Sequence, residues 1–345
     1  MIPRDLFEPT EAASEERFWL ALAAAEAEVS RADERLAADP HRTGVQRRLD
    51  VKEGCAIAWS AGALVSFEAL ALHDQELDVT LPDADLRAAH RTLLLRRRAS
   101  RLSLDALLEP AALAGFIDRR RERPPSPLPV ARPASAGVGE AIRAATDQIQ
   151  AVRTDEDDQA LAAWLGLARA WLSPPLPLLV GAALALESWR ALTPLGRRED
   201  LADLVVNAAL RSRRRVRALE LPLALGRRRL TTSGDRRPFA PTLQDRLAWH
   251  LRSFAAAARE ACDEQAALSL ARQVCERRLA AHRRASKAPA ALAALLDQPV
   301  VTAESLARAV GLTPHGARLL LRRLGASVTE ISGRSRFRVW RLAGG

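Results

Sequence analysis

The sequence predicts a mainly all-α protein that ends in a small module of helices and a β-hairpin. Two observations lead to this prediction. Up to residue 285, alanine, leucine, arginine and glutamate dominate, and apolar residues recur every three or four positions, as they do in amphipathic helices. After residue 289, short helical segments alternate with capping residues and glycine turns, and two β-like segments follow them.

The helical body is divided by prolines, which end helices because they lack a backbone N–H and clash with the preceding turn. A first helix is expected to end before Asp39-Pro40, and a polar, proline-bounded loop is expected at 227–241. The other long helical stretches are expected at about 44–72, 83–100, 140–225 (interrupted at 173–175 and 193–194) and 243–285.

A proline-rich segment at 122–139 separates two parts of this body. Its five prolines have no apolar periodicity between them, which predicts an extended connector. The sequence therefore predicts an N-terminal helical domain at 1–121, a linker at 122–139, a central helical domain at 140–285 and a C-terminal domain at 290–345.

The C-terminal segment carries clear helix-capping signals. Thr302 offers a hydroxyl N-cap to a helix at 303–309, and Gly311 suits the positive φ of a helix C-terminus. Thr313-Pro314 then provides a second hydroxyl cap with proline in the first turn, and the helix that it starts runs over 314–324.

Two β-like segments, at 328–331 and 336–342, follow that helix and flank a turn around Ser332-Gly333. They predict a hairpin. Together with the helix that ends near residue 297, the order is helix, helix, glycine turn, helix and hairpin. This is the element order of a winged helix-turn-helix.

Positive charge is concentrated in the same segment. The chain holds 52 Lys and Arg against 42 Asp and Glu, and only Lys52 and Lys287 are lysines. Guanidinium groups bind phosphate in a bidentate manner, although a GC-rich genome explains the arginine bias equally well. Eight arginines oppose three acidic residues in 291–345, so +5 of the net +10 lies there, as a phosphate-binding face requires.

The helix at 314–324 is the predicted recognition helix, and its N-terminal part is expected to meet base edges in the major groove. Its expected buried stripe is Ala317, Leu320, Leu321 and Leu324. The predicted DNA-contacting residues are Thr313, His315, Gly316, Arg318, Arg322 and Arg323 at this helix, and Arg334, Arg336 and Arg338 on a basic wing at 328–342. Arg318 is the first choice for reading a guanine, and the wing suits sugar-phosphate or minor-groove contacts.

Other clusters have a structural interpretation beside the functional one. Arginine clusters at 96–98 with 101, 119–121, 213–215 with 217, and 227–229 are interpreted as solvated helix faces rather than as a second nucleic-acid site. Trp164, Trp171 and Trp189 are interpreted as core anchors rather than as base-stacking platforms.

No catalytic, metal or cofactor motif is visible, and none is predicted. Cys55, Cys262 and Cys275 have no metal-ligand spacing and are expected to be buried thiols. The longest uncharged apolar stretch, 170–186, is shorter than the roughly 20 residues of a membrane span, and the N-terminus lacks a secretory pattern. A cytoplasmic protein without a membrane partner is therefore expected.

Three segments carry a resemblance to a known family. They are Val300 to Ala307 (VVTAESLA), Ile331 to Trp340 (ISGRSRFRVW) and Gly62 to Asp74 (GALVSFEALALHD). The sequence resembles an uncharacterised alphaproteobacterial family, often plasmid-borne, that joins an all-helical domain of unknown function to a helix-turn-helix DNA-binding domain. That resemblance implies DNA as the partner of the C-terminal domain.

More distantly, the architecture is similar to Fic-type proteins, helical nucleotidyl transferases that often carry a C-terminal winged helix. Their signature, HPFx[DE]GNGR, supplies a histidine base and a glycine-rich anion nest. The best-placed segment here, Ala191 to Asp200, has no histidine, no asparagine and no Gly-Asn-Gly. The resemblance therefore implies a degenerate Fic-like body without transferase chemistry.

The sequence thus leads to three hypotheses. The first is a sequence-specific transcriptional regulator that binds double-stranded DNA as a homodimer and whose helical body dimerises or senses an unknown small molecule. The second is a Fic-related nucleotide-binding or nucleotidyl-transfer protein. The third is an adaptor whose winged helix binds protein.

Overall fold

The computed structural model describes residues 11–78, 80–117, 137–151, 157–195, 198–235, 242–280, 287–333 and 338–343. The predicted all-α character is confirmed, since helices dominate these residues and a small sheet lies near the C-terminus. In the described ranges, no helical segment combines the length and the hydropathy that a bilayer span requires.

The body consists mainly of helices in the part of the chain that the structure describes. They are α1 (Glu11–Ala38), α2 (Arg42–Ser60), α3 (Phe67–Asp74), α4 (Ala84–Ala99), α5 (Leu104–Leu107), α6 (Pro110–Ile117), α7 (Val138–Ala151), α8 (Asp157–Trp171), α9 (Leu178–Leu192), α10 (Glu199–Ser212), α11 (Leu223–Thr232) and α12 (Leu243–Ala280). The C-terminal elements are α13 (Ala288–Asp297), β1 (Val301–Thr302), α14 (Ala303–Val310), α15 (Pro314–Leu324), β2 (Val328–Glu330) and β3 (Val339–Leu342).

The chain forms two compact units, each made of separate segments. Unit 1 consists of residues 1–33 and 94–258, and unit 2 consists of residues 34–93 and 259–345. This grouping differs from the contiguous domains predicted from the sequence. Local composition marks linkers, whereas the units are defined by contacts between segments that are far apart in the chain.

Unit 1 is centred on α8, α9 and α10, whose facing sides are almost completely buried. Trp164 and Trp189 meet edge to face with 4.6 Å between ring centroids, and the indole N–H of Trp164 donates to the Ala185 carbonyl at 2.9 Å. A Cβ at Gly181 would lie 2.1 Å from the Trp171 carbonyl, so glycine allows α9 to approach the end of α8. The tryptophans are core anchors, as predicted.

Several arginines of the predicted solvated clusters instead hold unit 1 together. Arg96 is buried and donates to the carbonyls of Glu220 and Leu221. Arg227 makes two bonds to the buried carboxylate of Asp203, at 2.8 and 2.5 Å. Burial raises the pKa of Asp203, and the Arg227 charge opposes this rise. For these two arginines the interpretation as solvated residues was wrong, because helix periodicity does not reveal a distant polar partner.

Unit 2 places α2 directly against α13, and a glycine makes the approach possible. A Cβ at Gly44 would lie 2.0 Å from the Leu296 carbonyl oxygen, well inside van der Waals contact. Only glycine fits there without displacing one helix. The two chain segments of unit 2 also share a hydrophobic core, which includes Val51, Leu70, Leu93, Val300 and Val339.

The guanidinium of Arg48 occupies the C-terminal end of α13. Only 2% of Arg48 is exposed, and it donates to the four carbonyls of Gly44 (3.0 Å), Leu295 (3.0 Å), Leu296 (2.6 Å) and Gln298 (2.6 Å). Burial lowers the pKa of Arg48 to about 10, with Glu264 acting in the opposite direction, so the group stays charged at neutral pH. A cation at this position satisfies carbonyls that a helix end leaves without partners.

The sheet is antiparallel and has the strand order β1-β3-β2. Val301 pairs with Trp340 and Val328 pairs with Leu342, so the last strand lies in the middle. The predicted hairpin is confirmed by the β2–β3 pairing. Strand β1 was not predicted, because a two-residue strand carries no periodicity.

Four sequence-based boundaries need correction. The stretch expected as helical over 140–225 has a further break at 213–222, between α10 and α11. The stretch expected as one helix over 44–72 is two helices, because Gly62 adopts a φ of +87° between α2 and α3. The loop expected from residue 227 begins later, since α11 extends to Thr232. Helix α7 begins at Val138, inside the predicted linker, whose residues 122–136 lie outside the described residues.

The contact at Gly44 predicts a loss of stability. We expect Gly44→Ala to lower the free energy of unfolding by about 1–3 kcal/mol, because the added methyl group must push α2 and α13 apart. Denaturation by urea, followed by circular dichroism, measures this change. Gly115→Ala is the matched control, since a Cβ at this helical glycine meets open space and alanine there should stabilise by roughly 0.5–1 kcal/mol. Equal effects of both substitutions would contradict the prediction.

Candidate nucleic-acid interface

Side-chain caps fix the two helices of the helix-turn-helix. The hydroxyl of Thr302 accepts from the Ser305 amide at 2.9 Å, and the Ser305 hydroxyl accepts from the Thr302 amide at 2.9 Å, which is a capping box for α14. Gly311 ends α14 with a φ of +66°. Thr313 caps α15 by accepting from the Gly316 amide at 3.1 Å. The capping predictions for Thr302, Gly311 and Thr313 are confirmed.

Helix α15 has a buried side and an exposed side. Its buried residues are Ala317, Leu320, Leu321 and Leu324, which are the four of the predicted stripe. Because these side chains seat the helix on the unit 2 core, the rest of its surface is free to face a ligand.

The exposed side of α15 carries most of the residues predicted to contact DNA. Thr313, His315, Arg318, Arg322 and Arg323 are exposed, and Gly316 is half-buried. A Cβ at Gly316 would lie 3.3 Å from the Thr313 hydroxyl oxygen, so the residue also serves the N-cap. Their assignment as DNA contacts stays a prediction.

A leucine on this exposed side was missed. At about 100° per residue, His315, Leu319 and Arg322 lie within an arc of roughly 60°. Arg318 and Arg323 flank this arc. Leu319 is 41% exposed, although leucines in this helix are otherwise buried. Because residues four apart lie on the same face of a helix, its position four residues after His315 was the sequence signal that could have identified it.

The C-terminal end of α15 is held by α12. Arg278 donates to the carbonyl of Leu324, the last residue of α15. Gly325 follows with a φ of +53°, and a Cβ there would lie 2.8 Å from the same guanidinium. Helix α15 is therefore fixed at both ends, by a hydroxyl cap and by an arginine from another helix.

Glu330 organises the start of the hairpin loop. Its carboxylate accepts from the Ser332 amide at 2.7 Å, from the Gly333 amide at 3.1 Å, and from the Ser332 hydroxyl. Partial burial acts to raise the pKa of Glu330, but these hydrogen bonds and the charge of Arg338 lower it below its ordinary value. These contacts thus favour the ionised form of Glu330.

Of the predicted wing residues, Arg338 is exposed and interacts electrostatically with Glu330. Arg334 and Arg336 lie outside the described residues. A further arginine of this segment, Arg341, has an internal partner, because it lies 3.4 Å from Glu68. Not all of the local positive charge therefore faces outward.

No cluster of three or more potential metal ligands occurs in the described part of the chain. The three cysteines are buried and form no disulfide, as expected. In the segment that best matched the Fic signature, Glu199 pairs with Arg190 at 2.8 Å and Asp200 pairs with Arg198 at 2.7 Å. Both carboxylates are thus engaged in ion pairs.

Two family models match this chain. Residues 151–280 match a family described as a protein of unknown function (DUF1612), and residues 289–342 match one described as an HTH DNA binding domain. The chain carries a DUF1612 domain followed by a helix-turn-helix DNA-binding domain. The arrangement implied by the family resemblance is confirmed, and the matched domain supports a DNA-binding role.

One curated relative spans nearly the same length. It is "Uncharacterized protein y4cF" of Sinorhizobium fredii (strain NBRC 101917 / NGR234), which is 27% identical over 360 residues, covering 90% of this chain and 93% of the relative. Among solved structures, a Fic family protein from Desulfovibrio desulfuricans G20 aligns with a TM-score of 0.45 and 13% identity, covering 94% of this chain and 96% of that chain. A similarity at this level supports no inference about activity.

The hydrogen bonds at Glu330 predict a pH response of the hairpin loop. A carboxyl whose pKa is lowered by folding stabilises the fold above its ordinary pKa, and this contribution is lost as pH falls through the folded pKa. In an NMR titration of the full chain, the Gly333 amide should therefore shift with a midpoint below about 4.3, the ordinary value for glutamate.

Ser332→Ala removes one hydrogen bond to the carboxylate and should move this midpoint upwards. Thr329→Ala, an exposed change on the same strand, is the control and should leave it in place. A wild-type midpoint at or above the ordinary value would refute the role of Glu330.

Proposed function

We propose that this protein is a sequence-specific, DNA-binding transcriptional regulator that acts as a dimer. In this proposal α15 enters the major groove, and the β2–β3 hairpin contacts the sugar-phosphate backbone or the minor groove. The observation that carries the proposal is the division of α15, whose apolar stripe is fully buried while its other side presents His315, Arg318, Arg322 and Arg323.

The chemistry of this exposed side suits DNA. An arginine can bind O6 and N7 of guanine in a bidentate manner, and it can equally bind a phosphate. Leu319, at one edge of the arc beside His315, offers an apolar surface of the kind that contacts a thymine methyl group. A face that combines guanidinium groups with one apolar side chain favours reading of base edges over purely electrostatic binding.

The hairpin has a different expected role. Arg338 is exposed beside the loop that Glu330 orders, so its guanidinium is presented from a defined backbone. Phosphate contacts of this type fix the position of a protein on the duplex and carry no sequence information. We therefore assign specificity to α15 and positioning to the hairpin.

The small number of base pairs that one α15 can contact supports a dimer. A single recognition helix contacts few base pairs, and helix-turn-helix proteins reach specificity by pairing two helices on sites about one helical turn apart. Two copies related by a two-fold axis would recognise a two-fold symmetric site.

The test is binding, by fluorescence anisotropy, to DNA upstream of the protein's own gene and to a scrambled duplex at two salt concentrations. We expect the specific site to bind at least about a thousandfold tighter, with affinity falling as salt rises. Arg318→Ala should lower affinity for that site by about 1–3 kcal/mol and leave the scrambled duplex much less affected. Arg213→Ala is the control, because it removes an exposed arginine of unit 1.

Arg338→Ala should behave differently from Arg318→Ala. Loss of a phosphate contact weakens binding to both duplexes by a similar factor and reduces the slope of log affinity against log salt by about 1. A selective loss on the specific site would show instead that Arg338 reads sequence. Equal, weak and sequence-blind binding by the wild type at this and other genomic sites would favour the adaptor hypothesis over the regulator.

A further inference from the structure

An apolar stripe lies on the exposed side of α1, in unit 1. Residues 18–25 are eight consecutive apolar residues, FWLALAAA, without a charge among them. One side of this run is buried, including Phe18, Leu22 and Ala25. The other side faces outward, although an exposed helix face normally carries polar residues.

The exposed residues form one continuous band. At about 100° per residue, Glu16, Leu20, Ala23, Ala27 and Arg31 lie within an arc of roughly 80°, and Trp19 flanks it. We call these six residues the α1 stripe. All six are exposed, Leu20 at 64% and Trp19 at 42%. The stripe extends for about 22 Å along the helix.

Charge is distributed along the stripe in a self-complementary way. Glu16 lies at its N-terminal end, Arg31 lies at its C-terminal end, and the four stripe residues between them are apolar. A second α1 in parallel orientation would set glutamate against glutamate and arginine against arginine. An antiparallel copy sets each Glu16 against Arg31 of the other copy, which is the favourable arrangement.

Side-chain size follows the same symmetry. With a two-fold axis between Ala23 and Ala24, position i faces position 47 − i of the second copy. Leu20 then faces Ala27, and Ala23 faces Ala24, so a large residue meets a small one and the two backbones can approach closely at the centre. Such an isologous contact closes after two copies and does not propagate.

We infer that the α1 stripe is the surface on which two copies of this chain associate, antiparallel through α1. This inference rests on the proposed function only for the role of the dimer, because a two-fold symmetric DNA site requires two copies related by a two-fold axis. The association itself is a property of the free protein and needs no DNA.

The experiment is sedimentation equilibrium of the full chain without DNA, over a range of concentrations. We expect the wild type to have twice the chain mass of 37.6 kDa and Leu20→Glu to have the chain mass alone. Leu64→Glu is the matched control, since Leu64 is 87% exposed and lies outside the stripe, and it should remain a dimer. Circular dichroism checks that each variant retains its helix content.

A charge exchange tests the orientation and does not depend on the Leu20 variant. Glu16→Arg alone should raise the dimer dissociation constant by about tenfold or more, because it sets arginine against Arg31 of the other copy. Adding Arg31→Glu to the same chain should return the dissociation constant towards the wild-type value. In that double variant, the arginine at position 16 of each copy faces the glutamate at position 31 of the other, so opposite charges meet again. Arg31 also bonds to Glu28 of its own helix, so Arg31→Ala serves as the reference for loss of that bond.

Several outcomes would overturn the inference. They are a monomeric or higher-order wild type, a Leu20→Glu variant that stays dimeric, and an exchange that fails to restore dimerisation. A dimeric wild type that depends on the stripe but binds DNA without specificity would leave this inference intact and would remove the proposed function instead. The two proposals are therefore tested separately.

Discussion

The C-terminal DNA-binding domain depends on the contact between α2 and α13, which is made by a glycine and a buried guanidinium. Gly44 lets the helices approach until backbone meets backbone, and Arg48 then satisfies the carbonyls at the end of α13. A charge so deeply buried is stable only while its hydrogen bonds are made. The helix-turn-helix is thus part of unit 2 and shares a core with α2, α3 and α4.

The sequence was most informative where structure is determined by neighbouring residues. The hydroxyl caps at Thr302 and Thr313, the bounds of α15 and its four buried residues could all be predicted, because caps and helix periodicity are local properties. Strand β1 and the two-unit grouping could not, since both depend on partners far along the chain. At the candidate interface only Leu319 was missed among the exposed residues of the central arc. It was assigned neither to the buried stripe nor to the DNA contacts, because a leucine side chain has no hydrogen-bonding group that marks a contact.

Arginine has two uses in this molecule, and composition alone does not separate them. Arg48, Arg96 and Arg227 bind carbonyls or carboxylates inside their own unit, where the five donors of a guanidinium satisfy several acceptors at once. On the exposed side of α15, the same group is presented to solvent. The net charge of +10 therefore overstates the charge that is available to a polyanion, and the position of each arginine matters more than the total.

The discontinuous make-up of unit 2 has a consequence for how the protein is made. Residues 94–258 separate its two segments, so during synthesis α2 and α3 leave the ribosome long before Val300 and Val339 can pack into the core with Val51 and Leu70. Contacts such as the one between Arg48 and Leu296, which are 248 residues apart in the chain, carry a loop-closure entropy cost and form slowly. Nascent chains therefore expose an apolar surface that chaperones can bind. The helix-turn-helix domain becomes complete only after almost the whole polypeptide has been translated.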